Sequence, residues 1–339
     1  MRALEAAPAA PELIRALALF GAGMLAESAL DYDQALVLLR EALAISRAVG
    51  ARELEGGALM AMGRAAWAID VDARLPAAWF EDALRIFREI DEPAGIGWML
   101  GFLAEEQLKA GDLDGAASRA TEAFDVGTKS GLAQLVAESR RVLAMVAAQR
   151  GQPADGNRLL EEAATVHEQT GDRYQLALLL TMRAHLAFER GDDALALGQL
   201  RRALRLARDG GLGERMRHAV ELAAYGLYRR GRAREVATLV GVVEEGNLRF
   251  PRRTETMRPL PVGGPASVTQ LPITGFRTLG SLVSAGFEEH RVAGRSLSLE
   301  RAADLALRVI DEELALAATP AGGDGQAAGD EAPAPRARR

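Results

Sequence analysis

Residues 174–210, YQLALLLTMRAHLAFERGDDALALGQLRRALRLARDG, form one unit of a repeat that determines the fold. Apolar residues recur at helical spacing on both sides of Gly191 and Asp192. A glycine commonly ends a helix in the left-handed conformation, and an aspartate commonly caps the start of the next helix. The unit is therefore predicted to be a pair of antiparallel helices joined by a tight turn.

Small residues repeat along the chain at intervals of 40 or 41 residues, in three columns. The first column is Gly23, Gly63, Ala104, Ala144, Ala184 and Ala224; the second is Ala35, Ala116, Gly156 and Ala196, with Pro76 and Val236 as substitutes; the third is Ala42, Ala83, Ala123, Ala163, Ala203 and Val243. Columns in phase indicate a repeat array in which small side chains let neighbouring helices approach closely. We predict an all-α, right-handed superhelical solenoid of about six helix pairs over residues 11–250, with a capping helix pair after it.

The composition limits the classes of function. Apolar residues make up 49% and aromatic residues only 5%, which suits closely packed helices. The net charge of -6 argues against a nucleic-acid-binding body, and the absence of cysteine excludes disulfides and thiolate sites. Neither a secretory signal nor a long uncharged apolar stretch is visible, so we expect a cytoplasmic protein that does not enter the membrane.

The ends of the array differ from its body. Residues 1–10 are expected to be a flexible N-terminus, and residues 318–339, rich in Ala, Gly, Pro and charge, a disordered tail. Residues 251–275 hold five prolines and are expected to form a loop. We expect this loop to be a mobile connector. The alternative is that its arginines contact an acidic partner. Residues 276–317 are predicted to hold the two capping helices, the second of which is capped by Ser298.

The small-residue trio and the turns GDLDGA (111–116) and GDDALA (191–196) resemble tetratricopeptide repeats (TPRs). The period of 40 exceeds the usual length of about 34 residues. A repeat of this length is similar to the MalT-like superhelical region of LuxR-type and other STAND ATPase transcriptional regulators and of cyclase–ATPase fusions. GRAREVATLVGVVEE (231–245) and LGSLVSAGFEEHRVAGRSLSLERAADLAL (279–307) resemble the last repeat and the closing signature of that region.

This resemblance covers roughly residues 11–317 and implies the sensor or interaction region of a signal-transduction ATPase. The sequence departs from the family because it contains no P-loop, helix-turn-helix or cyclase domain. We therefore expect either a fragment of a larger regulator or, as the alternative, a stand-alone TPR adaptor or scaffold that recruits partners.

Motifs that would indicate catalysis are missing. GAGMLA (21–26) matches a dinucleotide-binding fingerprint, but it lies inside a predicted helix with no preceding strand. His218 and Glu221 share a helix face and could be half of a metal site, yet no second histidine follows at metal-ligand spacing. The pair is better interpreted as a hydrogen-bonding pair on a groove wall. We therefore expect a protein that is not an enzyme, with no catalytic residue, cofactor or metal.

The remaining candidate site is the concave groove, which the first helix of each pair lines in arrays of this kind. The residues at the family's groove positions are Arg64, Trp67, Trp98, Glu105, Glu138, Arg141, His185, His218, Glu221, Tyr225 and Tyr228. Large aromatic rings beside Arg and Glu are typical of recognition surfaces. The alternative is that Trp67 and Tyr228 simply pack between repeats. The expected occupant is a protein or peptide segment, and a small-molecule inducer is a second candidate.

Overall fold

The computed structural model describes residues 11–69, 74–249 and 286–318, and these ranges contain helices and turns but no strand. The first six pairs are α1 (Glu12–Ser28) with α2 (Tyr32–Val49), α3 (Arg52–Ala68) with α4 (Arg74–Glu89), α5 (Pro93–Ala110) with α6 (Leu113–Lys129), α7 (Ala133–Gln149) with α8 (Pro153–Thr170), α9 (Arg173–Glu189) with α10 (Asp193–Asp209), and α11 (Gly213–Arg229) with α12 (Ala233–Arg249). A short helix α13 (286–294) and α14 (Leu299–Ala318) follow. The predicted fold class, an all-α superhelical solenoid with a closing helix pair, is confirmed.

The turns within pairs follow the local sequence. Gly111 has a φ of +83° and ends α5, and the carboxylate of Asp112 then accepts a hydrogen bond from Gly115 N at 2.9 Å. Gly191 and Asp192 repeat this arrangement between α9 and α10. The left-handed glycine reverses the chain and the aspartate caps the next helix, as the turn sequence predicts.

The small-residue columns lie where helices touch. Ala144 of α7 is fully buried, and a Cβ added to Gly156 of α8 would lie 2.9 Å from the Ala144 carbonyl oxygen. A Cβ at Gly23 would likewise meet Leu39 of the partner helix at 2.8 Å. Larger side chains would therefore push the two helices of a pair apart.

The first helices of the pairs lie on the inner side of the curved stack. Successive first helices contact one another from α1 to α3, α3 to α5, α5 to α7 and α9 to α11. Within the described ranges no two successive second helices approach as closely. Since elements on the concave side of a curved stack are crowded together, the first helices form its inner surface.

The superhelix brings the first pair back toward the last ones. Burial raises the pKa of Tyr32 at the start of α2, and the carboxylates of Glu27 and Glu214 raise it further. Glu214 begins α11 and accepts a hydrogen bond at 3.0 Å from Tyr174, at the start of α9. The first pair therefore lies within electrostatic reach of the fifth and sixth pairs.

The outer surface is held by ion pairs between successive second helices. Arg88 of α4 forms an ion pair with Glu122 of α6 at 2.5 Å, and Arg119 of α6 forms one with Glu81 of α4 at 2.6 Å. These pairs are exposed, so each contributes little to stability on its own.

The closing helices pack on the last pairs. Ser298 caps α14 as expected, since its hydroxyl accepts a hydrogen bond from Arg301 N at 3.3 Å. α14 lies against α10, α11 and α12, and its buried Glu313 accepts hydrogen bonds from Arg230 at 2.9 Å and Arg232 at 2.6 Å. Burial raises the pKa of Glu313, but the two guanidinium groups outweigh that effect and lower it overall.

Several expectations fall on other parts of the chain. The flexible N-terminus (1–10), the Pro/Gly-rich loop (251–275), the first part of the closing pair (276–285) and the tail from residue 319 lie outside the described residues. Residue 318, which was expected to begin the tail, is the last residue of α14. The predicted character of the segments outside the described residues stays a prediction.

Ala144→Leu is expected to lower the free energy of unfolding by roughly 1–3 kcal/mol, because the added atoms have no space between α7 and α8. Arg158→Ala on the exposed face of α8 is the control and should change it by less than about 0.5 kcal/mol. Urea denaturation followed by far-ultraviolet circular dichroism measures both. Equal stability of the two variants would contradict the packing role of the column.

Candidate partner-binding surface

The inner surface is formed by the first helices α1, α3, α5, α7, α9 and α11. All eleven groove candidates lie on five of these helices, and their role as contacts for a partner stays a prediction. Their environments differ along the array. Aromatic side chains dominate on α3 and α5, and ionic contacts connect α5 to α7. Histidine, glutamate and tyrosine side chains follow on α9 and α11.

An aromatic cluster occupies the inner side of the second and third pairs. Trp67 packs edge-on against Phe80 and Phe102, with ring centroids 6.4 and 6.0 Å away, and Trp98 stacks on Phe102 at 6.3 Å. The Lys109 ammonium lies 3.5 Å above the Trp67 ring. Trp67 therefore packs between repeats, and its buried indole Nε1 has no hydrogen-bond partner among the described residues.

Arg141 of α7 lies between two carboxylates. Its side chain is 11% exposed; Nε donates to Glu138 at 2.7 Å, and Nη2 donates to Glu105 of α5. Burial lowers the pKa of Arg141, but the two carboxylates more than compensate, so the pKa lies above its usual value. Because the guanidinium is already bonded to both carboxylates, Arg141 is not available to bind an anion in the groove.

Arg64 makes the corresponding contact one step earlier. Its Nε and Nη2 donate to the two carboxylate oxygens of Glu27 on α1, at 2.9 and 2.6 Å. This bidentate pair connects α1 to α3 and neutralises the Arg64 charge. The sequence predicted Arg64 as a groove residue but not its partner Glu27.

The candidates on α9 and α11 are mostly buried. His185 is 6% exposed and its Nε2 lies 3.1 Å from Glu189 Oε1, one helical turn away. Glu221 is buried and His218 is half-buried on α11. These side chains therefore present little area to a partner.

Two tyrosines complete the inner surface. Tyr225 is 38% exposed, and its ring packs edge-on against the buried Phe188, with centroids 5.7 Å apart. Tyr228 is half-buried against the apolar core of the later repeats. Of the two, Tyr225 offers the larger contact area.

Several members of the surface were missed from sequence. They are Glu27, Phe102, Glu106, Lys109 and Glu189. A signal for the ionic contacts exists, since Glu27 and Arg64 are 37 positions apart and Glu105 and Arg141 are 36 apart. Both separations equal one repeat less about one helical turn. Opposite charges at that spacing on successive first helices therefore indicate such a pair.

His167 of α8 is a buried histidine behind this surface. Its Nε2 lies 3.9 Å from Glu138 and its Nδ1 lies 3.6 Å from Asp172, and neither nitrogen has a hydrogen-bond partner among the described residues. The side chain is 2% exposed, so it does not reach a partner.

Neither a metal site nor a membrane-spanning helix is found among the described residues. Among the described residues no cluster of three or more His, Asp and Glu side chains could hold a metal ion. None of the helices within these ranges combines the length and apolar character that crossing a bilayer requires. What the inner surface offers is aromatic area beside carboxylates that are held in place by ion pairs.

Comparison with solved structures shows similar folds. The Rap conjugation gene regulator of the plasmid pLS20 in complex with the Phr* peptide has a TM-score of 0.56 and 14% identity, covering 81% of this chain and 75% of that one. A Rap protein complexed with competence and sporulation factor gives 0.55 and 12%, covering 83% and 78%. The quorum sensor NprR from B. thuringiensis in its apo form gives 0.51 and 11%, covering 89% and 77%.

The chain has a TPR-like repeat fold. At these identities the likeness concerns the fold alone. No protein-family model matches the sequence, and no curated protein matches it either.

Arg141→Met is expected to lower the free energy of unfolding by about 3 kcal/mol, because Glu105 and Glu138 would be left partly buried without a counter-charge. Arg158→Met on the outer surface should have little effect. Replacing both glutamates by glutamine in the Arg141→Met background should recover part of the loss. If urea denaturation finds the two single variants equally stable, the pair network contributes nothing.

Proposed function

We propose that the chain is a non-enzymatic binding domain that recognises a peptide or protein segment on its inner surface. The observation that carries this proposal is the partly exposed aromatic cluster of Trp98 and its neighbours beside fixed carboxylates, on the concave side of a solenoid. Concave repeat surfaces suit extended segments, because many weak contacts are made along one continuous face. Two structures of similar fold, the pLS20 regulator and a Rap protein, are complexes with a peptide and with a sporulation factor.

The cellular setting follows from the sequence resemblance. On that basis we propose the sensor or interaction region of a bacterial signal-transduction ATPase or LuxR-type transcriptional regulator, acting in the cytoplasm. The net charge of -6 makes direct nucleic-acid binding an unfavourable alternative. Occupation of the inner surface would shift the curvature of the array, since repeats contact only their neighbours.

A stand-alone adaptor is the second candidate function. The pairing of Arg64 and Arg141 with carboxylates favours a polypeptide over a small anionic inducer, since neither guanidinium is left to bind an acid group. A small-molecule inducer would need a different anchoring group on the same surface. In either cellular setting the binding surface is the same.

Selection from a phage-displayed library of random twelve-residue peptides against the intact chain is expected to enrich binders whose affinity depends on Trp98. Trp98→Ala should weaken a selected peptide roughly tenfold or more, since buried aromatic anchors dominate binding energy. Glu122→Gln on the convex face of α6 is the matched surface control and should leave affinity unchanged. Failure to enrich any peptide, or binding that ignores Trp98, would contradict the proposed function; isothermal titration calorimetry provides the affinities.

A further inference from the structure

The inner surface is divided into two chemically different parts that lie side by side. The aromatic subsite consists of Trp67, Trp98 and Phe102, on α3 and α5. The carboxylate subsite consists of Glu105 and Glu138, on α5 and α7, which Arg141 holds together. Trp98 and Glu105 share one helix face, two turns apart, so the subsites are about 10 Å apart along α5.

The carboxylate subsite has an excess of negative charge. Two carboxylates surround one guanidinium, so the three groups together carry one negative charge in a place largely shielded from water. Glu105 and Glu138 are 20% and 15% exposed, so both can be reached from the groove although Arg141 lies beneath them. A cation that enters this subsite would balance the remaining charge, whereas an anion would meet repulsion.

The chain itself contains an example of the favoured contact. The Lys109 ammonium lies over the Trp67 ring at 3.5 Å and 3.2 Å from the Glu106 carboxylate. An ammonium between an indole face and a carboxylate gains cation–π attraction and a charged hydrogen bond together. A basic side chain from a partner would find a carboxylate of the same kind close by, at Glu105.

We infer that the preferred partner is an extended segment in which a large aromatic or aliphatic residue is followed or preceded, about three positions away, by lysine or arginine. The spacing follows from the geometry: about 10 Å between the subsites corresponds to about three residues of a segment in the polyproline II conformation, at about 3.1 Å each, and residues three apart in that conformation point to the same side. The apolar residue packs on Trp98 and the basic residue pairs with Glu105 and Glu138. This inference rests on the proposed function, because it names the partner of the same surface.

The peptides selected from the random library against the intact chain test the inference directly. Their sequences should share an aromatic or large aliphatic residue two to four positions from a lysine or arginine. Glu105→Gln should weaken a selected peptide roughly tenfold, because a charged hydrogen bond becomes a neutral one. Replacing the basic residue of the peptide by norleucine should produce a similar loss, and the two losses should not add, since they remove the same contact.

The outcomes separate this inference from the proposed function. Peptides that depend on Trp98 but lack a basic residue, or that ignore Glu105→Gln, would overturn the inference and leave the binding function standing. Absence of any Trp98-dependent peptide would overturn both. Glu122→Gln serves as the glutamate control, and circular dichroism melting curves establish that each variant is folded. If the losses from Glu105→Gln and from the norleucine peptide add, the inference is also overturned, because the basic residue then binds elsewhere than at Glu105.

Discussion

Close contact of helices across columns of alanine and glycine is the constraint on which the structure depends. Ala144 and Gly156 show it most clearly, since α8 approaches the backbone of α7 where neither helix carries a bulky side chain. Small residues are likewise buried at the corresponding positions of other pairs, as Ala104 and Ala116 are in the third pair. A small rotation that is repeated with the same sign makes a superhelix, whose inner side is the crowded side.

The crowding of the first helices explains why charged side chains meet one another on the inner surface. Side chains on the first helices are brought together from successive pairs, and charges among them lose much of their hydration. They are retained because each meets a partner on the adjacent helix, as Arg64 does with Glu27 and Arg141 does with Glu105. These pairs orient the carboxylates while contributing less to stability than their number suggests. In the proposed binding role, the same groups would serve recognition and structural support.

The fold was predictable from sequence because its causes are local and repeated. The glycine–aspartate turns and the alanine columns recur at a period that only helix pairs explain, and the structure places Gly111, Asp112 and Ala144 in the expected roles. The inner helices of the array were likewise identified from their position in the repeat.

The environments of the site residues were harder to predict. Whether Arg141 binds a partner or a neighbouring carboxylate depends on the tilt between α5 and α7, which no single helix encodes. Lys109 over Trp67 is a contact between two pairs, and periodicity alone does not indicate it. Opposite charges separated by one repeat less one helical turn would have indicated the ion pairs. No comparable spacing indicates the aromatic contacts.

The distance between the first and sixth pairs tests the superhelix most directly. Spin labels on cysteines at positions 32 and 214, in a chain that has no native cysteine, allow it to be measured by double electron–electron resonance. The superhelix predicts a narrow distribution centred below about 25 Å, because the charge of Glu214 acts on Tyr32. A straight stack with about 10 Å between successive pairs would give about 50 Å, and a distribution centred there would contradict the account.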